Sequence, residues 1–204
     1  MRLLSIGFRH HIPARAARAV IIYTPARPTG ATYNREMRTY THAILSYYAA
    51  RHYAVRRGTC KLAAISAAGA ALPDLPALAG SAWLLARRGR FARDEFYGEV
   101  CGRRRFGGPD AALHSAAVLT AALPVALLFG GSGASFWSGW AGHVAADFLT
   151  HGADARPALW PISQRRFESP LSYSERERYG AAFTVVEHGV ALALVWSAAR
   201  RRRR

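Results

Sequence analysis

Three apolar runs, residues 61–85, 111–129 and 180–199, carry clusters of arginine at one or both ends, and this alternation limits the folds open to the chain. A helix rises about 1.5 Å per residue, so roughly 20 apolar residues cross the hydrocarbon of a bilayer. Residues 111–129, interrupted only by His114, Ser115 and Thr120, are just long enough. Residues 180–199 are the second spanning candidate and carry Glu187 and His188 mid-segment. Arg51, Arg56 and Arg57 precede the first run, Arg87, Arg88 and Arg90 follow it, Arg103, Arg104 and Arg105 precede the next, and Arg200 to Arg204 close the chain. Basic residues at the ends of apolar segments are the pattern of membrane helices rather than of a basic groove.

The formal net charge is +16, and Lys61 is the only lysine. A GC-rich genome produces arginine and alanine in excess without selection for function, while contact with anionic headgroups is the functional reading. No zinc-finger, RRM-like or helix-turn-helix signature accompanies the charge, so a specific nucleic-acid partner is not expected. Cys60 and Cys101 lack C-x-x-C spacing and are read as buried thiols.

No strand alternation or internal repeat is visible, and the expected fold is all-α: a helical membrane bundle with metal-binding residues converging from several helices. Residues 1–37 are expected to be a poorly ordered leader, with Met37 a plausible true start; residues 38–199 the helical domain; and residues 200–204 a basic tail. A helix is expected from Thr41, its N-cap, with His42 in the first turn. Pro73 and Pro76 should end or kink the first apolar run around Asp74. Residues 86–110 read as a loop, Pro124 as a kink, and residues 130–133 as a turn. A helix over residues 136–150 should follow, with Trp137 and Trp140 at a membrane interface, and one short helix is expected around residues 174–179.

Within residues 136–150 and just beyond, His143, Asp147 and His151 recur every fourth position and share one helical face. Such side chains are costly among apolar neighbours unless compensated, and a divalent cation compensates imidazoles and a carboxylate together. With His42, Asp74 and His114 they form a set of nitrogen and oxygen donors without thiolate. Zinc accepts this set, manganese or iron would also suit it, and two carboxylates with four imidazoles suffice for one or two ions. His52 reads as a solvated helix residue, and the Glu187 and His188 neighbours as an intramembrane hydrogen-bonded pair.

Taken in order, Thr41-His42, Leu72-Pro73-Asp74, His114-Ser115, Gly142-His143, Asp147, Thr150-His151 and Leu159-Trp160-Pro161 resemble the bacterial membrane-bound metal-dependent hydrolases of the inner membrane, over about residues 38–199. A more distant similarity is to the zinc-dependent phospholipases C. The resemblance implies Asp74, His114, His143 and Asp147 as metal ligands, with His42 and His151 as further members. It also implies a multi-pass inner-membrane enzyme that hydrolyses a phosphoester or lipid-like substrate with metal-activated water, Asp74 or Asp147 bridging metals or orienting that water. An arginine of the 156–166 loop would bind an anionic substrate. Pro76 stands where the family commonly shows a second acid, which motivates the alternative of a non-catalytic integral membrane protein with a structural or degenerate metal site.

Overall fold

Serine, not proline, decides where the long apolar runs bend. The computed structural model describes residues 39–54, 60–90, 95–96, 104–173 and 175–202. The expected leader, Cys101 and the end of the basic tail lie outside these residues. The helices are α1 (Thr39–Ala54), α2 (Cys60–Ala71), α3 (Leu75–Arg88), α4 (Arg104–Leu113), α5 (Ala116–Leu128), α6 (Gly130–Thr150) and α7 (Gly180–Arg202). The fold is all-α as expected: among the described residues no strand forms, and only an isolated bridge joins Pro157 to Arg166.

The first apolar run is not interrupted at its prolines. A 3₁₀ turn, Leu72–Asp74, joins α2 to α3, and the three pieces form one span-length rod over Cys60–Arg88. Pro73 and Pro76 each sit at the first or second position of a helical element, where the missing N–H has no partner to lose. Gly89, with φ 68°, ends the rod.

The second run does break, at Ser115 rather than at Pro124. The Ser115 hydroxyl accepts from the amides of Ala117 and Val118, capping α5. It also donates to the Trp160 carbonyl at 2.7 Å, while the Ala116 amide donates to the Ala158 carbonyl at 2.8 Å. These bonds stitch the corner to the loop, and α4 and α5 meet at 70°. Of the loop expected over residues 86–110, residues 86–88 belong to α3 and 104–110 to α4, and most of the stretch between lies outside the described residues.

The glycines at 130–133 start α6 instead of forming a separate turn. Gly130, with φ 60°, reverses the chain immediately after Phe129. Cys60 is exposed, not buried, because it opens α2. Trp140 is buried and donates its indole N–H to the Leu113 carbonyl at 2.6 Å, and Trp137 donates to Leu119 at 2.8 Å. Both tryptophans thus face protein rather than a membrane interface, packing on Leu119 and Val144.

Helix α2 packs between α1 and α6, and α5 packs along α6. Where α2 and α6 cross, a Cβ on Gly139 would strike the Ser66 carbonyl and one on Gly69 would strike that of Phe136. Small residues that let backbones touch are the usual packing device of membrane helices. Two helical stretches, Cys60–Arg88 and Gly180–Arg200, are long and apolar enough to cross a membrane, and the bent α4–α5 pair could form a third, broken span. The outward side chains of α7, among them Val185, Val186 and Leu192, are exposed, as lipid-facing residues are. Near its end Arg200 lies over the Trp196 ring at 3.6 Å.

Candidate metal centre

Each bend and crossing described above aims one imidazole inward. His114 occupies the corner between α4 and α5, and its Nδ1 is 2.8 Å from the Asp110 carbonyl. His143 lies one turn beyond the Gly139 crossing, and its Nδ1 is 2.7 Å from the carbonyl of Ala70, next to Gly69. His151 follows the last turn of α6, with Nδ1 3.0 Å from Asp154 Oδ2. In all three Nδ1 rests against an oxygen, which fixes the ring and turns Nε2 toward the centre of the cluster. Ring nitrogens anchored on carbonyl or carboxylate oxygen are the usual support of metal-ligating histidines.

Those three Nε2 atoms converge on one atom. Asp147 Oδ2 is 3.3 Å from His114, 3.3 Å from His143 and 3.1 Å from His151. Its other oxygen, Oδ1, is 3.3 Å from His42 Nε2, and the His42 ring stacks on His143 with centroids 3.9 Å apart. Asp74 stands at the N-terminus of α3 without capping it, and its Oδ1 is 3.7 Å from Nε2 of both His114 and His143. The His114 and His143 Nε2 atoms are themselves 3.3 Å apart.

Two imidazole nitrogens facing each other beside two carboxylates need a proton or a cation between them. All of these groups except Asp74 are buried. Two groups, His42 with His143 and Asp147, and Asp74 with His114 and His143, each bring their ligand atoms within 4.8 Å of one another and could hold a metal ion. His143 belongs to both, and Asp147 reaches members of both.

Burial alone would push the Asp147 carboxyl up, but His151, His143 and His114 around it hold it well below the usual carboxylate range. Burial likewise acts to lower His151, yet Asp147 and Asp154 lift it to about 10. His151 is further engaged by the Tyr173 hydroxyl, 2.8 Å from Nε2, and by Arg156 Nη1 at 3.3 Å. It meets the cluster through Asp147 and joins neither three-residue group.

The structure therefore brings all six expected residues to one place, from α1, the α2–α3 joint, the α4–α5 corner and α6. His188 lies elsewhere, bonded to the Tyr40 hydroxyl at 2.7 Å and to the Thr184 carbonyl at 2.8 Å, and is 3.9 Å from Glu187. His52 is exposed. Sequence reasoning passed over Asp110, Asp154 and Tyr173. The spacing of Asp110 and Asp154, four before and three after a histidine, was the available signal; Tyr173 offered none. Arg156 is anchored by Asp110, its Nε 3.1 Å from Oδ2. Compared with known proteins, the chain matches no family model, no curated protein and no solved structure.

Proposed function

We propose that this protein is a membrane-bound, metal-dependent hydrolase of the bacterial inner membrane, holding one or two zinc ions and acting on a phosphoester or lipid-like substrate. The observation that carries the reading is the shared posture of His114, His143 and His151. Each is anchored through Nδ1 on oxygen, and each turns Nε2 toward the same carboxylate. A donor set of imidazole and carboxylate without thiolate suits zinc. Bound there, the metal would lower the pKa of a water from 15.7 toward about 7 and so supply hydroxide at neutral pH. Asp147, with one oxygen toward His42 and the other toward His114 and His143, would help to hold the metal. Asp74 would complete the group formed with His114 and His143 and orient the water.

A purely structural metal, tying four segments together, is the other reading. It has no use for a cavity, yet His114, Asp147 and His151 line one of about 640 Å³. That favours catalysis. Detergent-purified protein should retain near-stoichiometric zinc, Asp147→Ala should abolish it, and Asp74→Asn and His114→Ala should abolish hydrolysis across a phosphodiester panel. A preparation that is metal-free, yet as helical and as heat-stable with added zinc as without it, would overturn the proposal.

A further inference from the structure

The cavity beside the cluster has a composition that narrows what could enter it. Four lining side chains form one continuous polar patch: His114 is 3.3 Å from Asp147, Asp147 is 3.1 Å from His151, and His151 is 3.3 Å from Arg156. Every other lining residue is alanine, leucine, valine or phenylalanine. At about 640 Å³ it falls in the range of sites that enclose a whole small ligand. A compact, fully polar phosphoester would fill the patch and leave the rest of the wall unmatched.

The apolar wall also continues outward. Phe148 and Phe167 stack with centroids 4.5 Å apart, and both are nearly half exposed. Leu149 and Leu159, which line the same cavity, are 61% and 50% exposed. Small side chains, including Ala141 and Ala145 at one-turn spacing on α6, leave the space between this rim and the metal cluster open. In a chain with helices fit to cross a bilayer, an apolar opening of this kind suits an acyl chain.

We propose that the cavity binds a single-chain amphiphile, with an anionic head against Arg156 and the cluster and its aliphatic chain along Leu119, Val144, Phe148 and Phe167. The inference rests on the hydrolase reading for its site and deepens it, choosing the lipid-like substrate class over a soluble phosphoester. Arg156 suits the head because Asp110 holds its guanidinium at the cavity wall. Chain length then sets affinity, since each buried methylene contributes about fourfold.

The test uses the full-length protein in lipid nanodiscs with monoalkyl phosphates of four to twelve carbons, and with the matching alkanoates to distinguish a phosphate from a carboxylate head. Ala145→Phe fills the space and Phe167→Ser removes part of the wall. Partition into the disc is common to all proteins, so the ratio of wild-type to variant affinity isolates the cavity. That ratio is expected to grow with chain length, reaching tenfold or more for Ala145→Phe at ten carbons. It should stay near one at every length for Val185→Phe on the outer face of α7. A ratio independent of chain length for both cavity variants overturns the inference, whether or not zinc is retained. A growing ratio in protein that binds no zinc would leave the chain site standing and remove the hydrolase reading instead.

Discussion

The crossing of α2 and α6 couples stability to the proposed metal centre, and a pair of alanine substitutions on α6 tests that coupling. At Gly139 a new Cβ would lie on the Ser66 carbonyl and 3.0 Å from the Ala70 amide nitrogen, backbone atoms that no rotamer change can move. Ordinary carbon–oxygen contact needs about 3.3–3.6 Å, so the helices must separate by more than an ångström. Overpacking of this kind costs about 1–3 kcal/mol, the backbone clash placing it at the upper end, and the helical preference of alanine returns about 1. The net loss of about 2 kcal/mol corresponds to roughly 5 °C in melting temperature for a chain of this size. The same separation stretches the 2.7 Å bond from His143 Nδ1 to the Ala70 carbonyl beyond hydrogen-bonding range. Loss of such an anchor lowers metal affinity by about 10–100-fold. Gly142, one residue before His143, is the control: its Cβ would meet only Ser46 Oγ at 3.8 Å. Gly142→Ala should therefore keep zinc affinity and gain up to about 1 kcal/mol. Thermal melts and zinc competition with a chromophoric chelator read both quantities. Equal zinc affinity and equal melting temperature in Gly139→Ala and Gly142→Ala would refute the argument.

Two further outcomes follow from other parts of the fold. Ser115→Ala removes the α5 cap and the tie to the Trp160 carbonyl, and should cost about 1–2 kcal/mol, with Ser115→Thr recovering most of it; an unchanged melt for the alanine variant would show that the corner is held by other means. Leu192→Arg places a charge mid-segment on an exposed face of α7, at a cost of about 2.5–3.5 kcal/mol if that face meets lipid. The variant's melt in lipid nanodiscs should then fall accordingly, whereas a melt equal to that of the wild type would mean that this face of α7 does not meet lipid.

The helices and the six ligand-competent side chains were legible because their signals lie in side chains. His143 and Asp147 repeat at helical spacing in an apolar setting, and Asp74 and His114 interrupt long apolar runs where an unpaired polar group is costly. What was not legible depends on backbone groups that have no letter in the sequence. The Ala70 and Asp110 carbonyls orient two of the imidazoles, and the Leu113 carbonyl turns Trp140 inward, away from the interface its type suggests. Leu113 ends α4, so its carbonyl has lost its helical partner and an indole N–H satisfies it. The prolines misled for a related reason. Pro73 and Pro76 are breakers in a helix interior, but at the first positions of the 3₁₀ turn and of α3 they remove a donor that had no acceptor. The same joint that keeps Cys60–Arg88 span-length also leaves Asp74 uncommitted to capping, free to point at His114 and His143. A helix end that would be wasteful inside a membrane rod is thereby what delivers a carboxylate to its centre.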